Sequence, residues 1–324
     1  MILIITLNPL IERRFNFTGI KAGDVNRNPQ STCLKAGGKG INISRQLNRF
    51  NVKSFNYFFS GGINGKLFRE TLKAEGLDFS FVPTKSETRH AAVISSESEK
   101  NVTSFFSEDS KILFSEVEEF KSKLDKMIQN CEIVVLAGSS PCPETDTIYP
   151  YAILLANKYD KVSICDTYGR HLQACIDSEP TIIHNNFNEI SSSLELSLDD
   201  EKSVIDFLDS IYQKNVKRVY LTNGSKNFYA SNFNYIYKIN PLQIQEIDPT
   251  GSGDSFVASI INGWVNSDLF EESLKFATAV AALNAESFEA ANVNIDDAIK
   301  IKDKVEVLPV GKKTKTIDDS PHEI

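Results

Sequence analysis

The chain has 324 residues, enough for one large core or two smaller ones. Its composition, 41% hydrophobic and 24% charged, is that of a soluble globular protein. The 35 basic and 43 acidic side chains give a net charge of −8 with no Lys/Arg block, which excludes a nucleic-acid scaffold.

Short β-rich apolar runs alternate with helical patterns along the chain. ILIITL at 2–7 and the runs at 133–138, 162–166, 181–185 and 218–222 predict buried strands. The stretches 40–50, 64–76, 115–129, 144–159 and 201–214 predict helices. In the first of these, Ile43, Leu47 and Phe50 fall on one face. Strands separated by helices of this length form βαβ units, so an α/β fold with a mainly parallel sheet covered on both sides is expected. Two stretches break the rhythm. Residues 13–35 and 89–108 read as strands with polar alternation and turns, the second as a hairpin around 98–101. Insertions of this kind form a lid or a small accessory sheet. The expected division is a core over 1–12, 36–88 and 109–310, a β-lid over 13–35 and 89–108, and a loose polar tail over 311–324.

Five scattered cysteines without a C-x-x-C pair predict neither a disulfide framework nor a zinc site. The four histidines lack metal-binding spacing, so no direct structural metal site is expected. No apolar run approaches the ~18–20 residues of a membrane span. The N-terminus lacks the pattern of a signal peptide, and a cytoplasmic protein is expected.

Four glycine-rich or amide-rich turns are candidates for chemistry. AGGKGINISRQL at 36–47 runs into an amphipathic helix; Lys39, between Gly38 and Gly40, either projects over a small anion or is simply solvated, and Asn42 follows in the first turn. GGINGK at 61–66 falls one residue short of the Walker spacing and is followed by Leu67, so it is not a P-loop. In HNNFNEI, Asn186 and Glu189 either hold water around Mg²⁺ from one helical face or form a capping box. After Gly251-Ser252-Gly253-Asp254, the residues Phe256, Ile260 and Trp264 recur at helical spacing. That loop is therefore the N-terminus of a buried helix, where free amides and the helix dipole favour a phosphate. Asp254 sits beside such a phosphate or merely caps the helix.

Taken in order, LNPLIER, GGKGIN, DTYG, NNFNE, LTNGS and GSGDSF resemble the ribokinase/phosphofructokinase-B family of sugar kinases over about residues 1–310. TLNP, GDVNR, GGKGIN and the ETR at 87–89 look like its sugar-phosphate branch, the 1-phosphofructokinases and tagatose-6-phosphate kinases. The resemblance implies a three-layer α/β/α core with a β-sheet lid, dependence on ATP and Mg²⁺, and phosphorylation of a ketohexose monophosphate. It makes Asp254 the base and the amides of Gly251, Ser252 and Gly253 the anion hole. It gives Asn186 and Glu189 the placing of Mg²⁺ and the ATP phosphates, with Thr222, Gly224 and Ser225 bordering the nucleotide. Gly38, Lys39 and Asn42 would hold the sugar, and Lys39, Arg27 and Arg89 its phosphate.

Departures from the family pattern gather around the substrate. Glu12 stands where an aspartate usually contacts sugar hydroxyls, and His184 replaces a lysine near the nucleotide phosphates. Gly138-Ser139-Ser140-Pro141 replaces G-S-L-P, and TSFFSEDS replaces an acidic, proline-containing lid segment. A kinase of an unphosphorylated sugar or nucleoside, and a sugar-phosphate sensor without turnover, are the rival readings. No membrane or nucleic-acid partner is expected. Exposed lid edges can pair two copies into a homodimer.

Overall fold

The computed structural model describes residues 1–312. The chain begins in the middle of a sheet with β1 (Ile2–Thr6), every residue of which is buried. Side chains alternate across a strand, and both faces of β1 are covered. Leu3 and Ile5 enter one apolar core, and Ile2 and Ile4 enter the other. An unbroken apolar run is the signature of such a strand, which is why ILIITL was legible.

The chain leaves β1 for β2 (Leu10–Phe17) and β3 (Ser31–Gly37), then enters α1 (Lys39–Arg49). β4 (Ser54–Ser60), α2 (Gly62–Ala74) and β5 (Asp78–Pro83) follow, then the hairpin β6 (Arg89–Ser96) and β7 (Asn101–Phe106). Next come α3 (Phe114–Gln129), β8 (Ile133–Ala137), α4 (Ile148–Lys158), β9 (Val162–Asp166), α5 (Leu172–Asp177) and β10 (Ile182–Asn186). The chain continues through α6 (Phe187–Leu194), α7 (Glu201–Gln213), β11 (Arg218–Thr222) and the hairpin β12 (Phe228–Asn232) and β13 (Tyr235–Asn240). It ends with α8 (Ser252–Val265), α9 (Phe270–Ala285), α10 (Ile295–Ile301) and β14 (Glu306–Lys312).

Among the described residues these strands form two sheets. The large one has ten strands in the order β14-β13-β12-β11-β10-β9-β8-β1-β4-β5. From β5 to β11 every pairing is parallel; β12, β13 and β14 close one edge antiparallel. Helices α3, α4 and α7 pack on one face through Phe120, Ile153 and Leu208. Helices α1, α8 and α9 pack on the other through Ile43, Phe256 and Leu274. This is a three-layer α/β/α fold. β4, β5, the β12–β13 hairpin and β14 are strands that the apolar-run reading missed, because polar residues interrupt SFNYFFS, DFSFVP, FYASN and YIYKIN and weaken the signal that a run such as β1 gives.

The small sheet has the order β3-β2-β6-β7, with Leu10 opposite both Gly37 and Arg89. Its own apolar cluster is only Leu10, Ala91 and Val93, with Val102 packed against it. Ser96 pairs with Asn101, so the β6–β7 turn lies at the expected position. β2 starts at Leu10, which places Glu12 on this sheet. At the C-terminus, Gly311 and Lys312 belong to β14; the rest of the expected tail, 313–324, lies outside the described residues. No helix among the described residues is long and apolar enough to cross a membrane.

Candidate active site

In an open parallel sheet the C-terminal strand ends and the loops after them form a crevice. Here the ends of β1, β8, β9, β10 and β11 meet the N-termini of α1 and α8 in a cleft of about 490 Å³, roofed by Leu10, Glu12, Arg89 and Phe106 of the small sheet. That volume suits a small-molecule site. Of the fifteen candidate residues, Glu12, Gly38, Lys39, Asn42, Arg89, Asn186, Glu189, Thr222, Gly224, Ser225, Gly251, Ser252, Gly253 and Asp254 all line it. Arg27 does not. It is exposed in the connection between β2 and β3, which runs away from the cleft.

Helix α8 is buried over 254–263, and Gly251 caps it in the left-handed region at φ 80°. A side chain there would be strained and would meet Ala290 at 3.0 Å. The amide of Ser252 is already used, donating to the Pro249 carbonyl at 3.1 Å. Gly251 and Gly253 donate to no backbone carbonyl among the described residues, so two of the three expected amides are open to an anion.

Asp254 is 6% exposed and accepts a hydrogen bond from Asn42 Nδ2 at 2.7 Å. Asn42 is in turn oriented by Arg45, whose guanidinium donates to its Oδ1 at 2.8 Å and pairs with Glu75. Burial, and next the Asp166 carboxylate, push the Asp254 carboxyl up to about 7, against the pull of Lys39 and Asn42. A carboxyl so tuned is suited to taking a proton near neutral pH. It is not a capping residue: the cap position belongs to Gly251, and no side-chain cap bond is made.

Lys39 differs from the expectation. Its Nζ lies 2.7 Å from Glu189 and 3.0 Å from Asp166, and rests over the Tyr168 ring. Burial disfavours the ammonium, but Asp166, Glu189 and Asp254 outweigh it and hold Lys39 above its ordinary value. Two carboxylates thus compete with any substrate phosphate for this cation, which still lines the cleft. Asp166, fully buried, is held below the usual range despite desolvation by Lys39 and by His184, whose Nδ1 is 3.0 Å away. His184 is itself buried, stacked on Phe256 under α8, with Nε2 3.4 Å from Thr222 Oγ1.

Asn186 and Glu189 do form the capping box of α6, at 2.9 and 3.1 Å. Glu189 still reaches the cleft, because its second oxygen is the one on Lys39. At the roof, Arg89 donates to Asp109 at 3.1 Å and to the Asn8 carbonyl at 3.0 Å. Its buried Nε has no hydrogen-bond partner. Burial raises the Glu12 carboxyl, countered by Arg14, Arg45 and Lys35.

Residues 3–297 match the pfkB family of carbohydrate kinases. The chain belongs to that family. This carbohydrate kinase is 31% identical over 313 residues to tagatose-6-phosphate kinase from Staphylococcus epidermidis, covering 96% of the chain and all of the relative. Its fold superposes on a possible 1-phosphofructokinase from Thermotoga maritima with a TM-score of 0.87 at 22% identity, over 96% of this chain and all of the other. Phosphofructokinase-2 from Escherichia coli, in a tetrameric inhibited form, gives a TM-score of 0.83 at 20% identity, over 94% and 98% of the two chains.

Several groups of the kinase had no place among the expected site residues: Tyr168, Asn8 and Ser139, which line the cleft, and Asp166, fully buried behind Lys39. The signal for Asp166 was present, since a carboxylate at the end of a buried parallel strand lies beside the crevice and needs a partner such as Lys39. Asn8 lay within the TLNP motif, but its partners did not show in the sequence: its Nδ2 donates to Asp109 and Ser139 at 2.9 and 3.0 Å.

Proposed function

We propose that the chain transfers the γ-phosphoryl group of ATP to a hydroxyl of a ketohexose monophosphate, of the fructose-1-phosphate or tagatose-6-phosphate type, giving the bisphosphate. The observation that carries this reading is the placement of buried Asp254, tuned to about 7, directly after Gly251 and Gly253 at the start of α8. Asp254 takes the proton of the sugar hydroxyl. That oxygen attacks the γ-phosphorus in line, the bond to the β-phosphate oxygen breaks, and ADP leaves. The Gly251 and Gly253 amides take up charge on the phosphoryl oxygens, as positioning and electrostatics dominate this chemistry. Thr222, Gly224 and Ser225 would border the nucleotide, and the apolar Phe228, Leu242 and Ala281 of the same cleft offer a surface for its base.

Mg²⁺ shields the triphosphate charge in such a reaction. Both oxygens of Glu189 are engaged, one by Lys39 and one by the Asn186 amide, and no cluster of three metal-ligating side chains occurs among the described residues. The donor set therefore fits a hydrated ion arriving with the nucleotide, held through water by Asn186 and Glu189.

At the sugar end, Gly38, Asn42 and Glu12 line the space for hydroxyls. The unpartnered Nε of Arg89 supports a second anion there, as does the tagatose-6-phosphate kinase relative. Arg89→Ala is expected to raise KM for the sugar phosphate roughly 10–100-fold, the value of a hydrogen bond to a charged group. KM for free fructose should move far less. A kinase of an unphosphorylated sugar is the second reading. It is favoured by the neutralised Lys39 and by Arg27 standing outside the cleft, which leave Arg89 without the expected companions. ATP consumption on fructose 1-phosphate, tagatose 6-phosphate, fructose 6-phosphate and fructose decides between the two. Turnover confined to fructose sinks the sugar-phosphate reading, and no turnover at all favours a sensor.

The small sheet acts in this reading as a lid. Its edge strands β3 and β7 expose Leu34, Phe105 and Phe106, which favours pairing of two copies through the lid. Light scattering should give a homodimer, and Phe105→Lys with Phe106→Lys a monomer.

A further inference from the structure

The turn that delivers Asp254 is gripped from two directions. From the large core, the buried Asn284 of α9 donates to the Thr250 carbonyl at 2.9 Å and to Ser252 Oγ at 3.0 Å. The Ala285 carbonyl accepts from the amides of Ile247 and Asp248. From the small sheet comes Arg14. Its guanidinium lies 3.1 Å from Asp248 Oδ2 and 3.5 Å from Glu12 Oε2. Glu12 and Arg14 are two apart on β2 and so share one face of the strand. Asp248 is 2% exposed, and its other oxygen accepts from the Thr250 amide at 3.0 Å, which shapes the turn ahead of Gly251. One planar cation thus joins the carboxylate at the sugar end to the turn that aims the base.

We propose that Arg14 is a positioning residue that couples occupation of the sugar end at Glu12 to the placing of the phosphoryl-transfer loop; this rests on the kinase reading above. Two carboxylates share the guanidinium. A sugar hydroxyl that bonds to Glu12 competes for that carboxylate and leaves Arg14 to Asp248. The 248–250 turn then tightens when the acceptor is present. The forked donor geometry of arginine allows both contacts at once, which a single ammonium holds less well. The link also runs from the small sheet to the segment between β13 and α8, apart from the apolar contact that Ala36 of β3 makes with Phe58 of β4.

The test uses the full chain with Arg14→Gln and Arg14→Lys. Glutamine keeps a donor for buried Asp248 while removing the charge and the second arm; Arg14→Lys keeps the charge, and a melting curve of each variant separates a lost fold from a misplaced loop. With the acceptor that the wild type turns over fastest, Arg14→Gln should lower kcat about tenfold or more, the effect of a misplaced loop, with KM for ATP within about threefold. Arg14→Lys should recover part of the loss. In calorimetry, adenylyl imidodiphosphate should bind the wild type more tightly when that acceptor is present, and the enhancement should shrink in Arg14→Gln. An unchanged kcat in Arg14→Gln, or a rise confined to the acceptor's KM, overturns the inference alone. Absence of wild-type turnover on every acceptor overturns the kinase reading and the inference with it.

Discussion

Asp254→Asn should lower kcat at least ~10²-fold, the lower end of a general-base contribution, while leaving nucleotide binding largely intact. Asparagine keeps the size and the contact with Asn42 but cannot take the proton. Its neighbours stay in place, so the loss reports the base itself. Near-normal turnover would remove Asp254 from the mechanism. The wild-type pH profile carries the same signature. The carboxyl sits at about 7, so kcat/KM should fall as pH drops through that value. A stability measurement has the opposite sign. The folded-state value lies above the ~3.9 of an unfolded aspartate, so the folded chain binds this proton more tightly. That stabilisation is complete below about pH 4 and is lost progressively as pH rises to about 7. Asp254→Asn lacks the loss. Its Tm should exceed that of the wild type at about pH 8 and not at about pH 4. A variant less stable than the wild type at both would show that burial is not what raises this carboxyl.

Lys39→Ala should damage both the fold and the chemistry. The ammonium is the shared partner of Asp166, which is fully buried, and of Glu189. Removing one partner of a buried ion pair costs about 3–5 kcal/mol, because the remaining charge stays buried without compensation. The corresponding fall in Tm is roughly 5–10 °C. Lys39 also pulls the Asp254 carboxyl down, so without it that carboxyl rises further and the acid limb of the pH profile moves to higher pH. KM should change alike for phosphorylated and free sugars, unlike in Arg89→Ala. A selective loss of sugar-phosphate affinity, with an unchanged Tm and pH profile, would return Lys39 to the role of a phosphate ligand.

Lys39 and Arg27 show where reading along the chain stops. Both are cations near glycine-rich or turn-rich sequence, and from sequence both offer a charge to an anion. The fold then brings Asp166 from β9 and Glu189 from α6, residues 127 and 150 positions away, onto Lys39, and leaves Arg27 on an outer loop. His184 is similar. In sequence it is a missing lysine; in the fold it is a buried imidazole supporting Asp166 beneath α8. The Arg14–Asp248 link spans 234 residues and left no local trace at all.

What the sequence determined by itself was local in origin. Apolar runs buried on both faces placed β1, β8, β9, β10 and β11, and helical patterns placed α1, α2, α3, α4 and α7, while the short α5 gave no such signal. The glycines of 251–254 marked a helix start open to an anion, because the left-handed backbone at Gly251 tolerates no side chain and a helix N-terminus always carries unsatisfied amides. Only the tertiary structure decided which charges meet. Ion pairing and desolvation depend on distance in space, so the same lysine is a lone cation or a paired one, and the same aspartate an ordinary carboxylate or a buried carboxyl raised toward neutrality, according to what the fold packs against it.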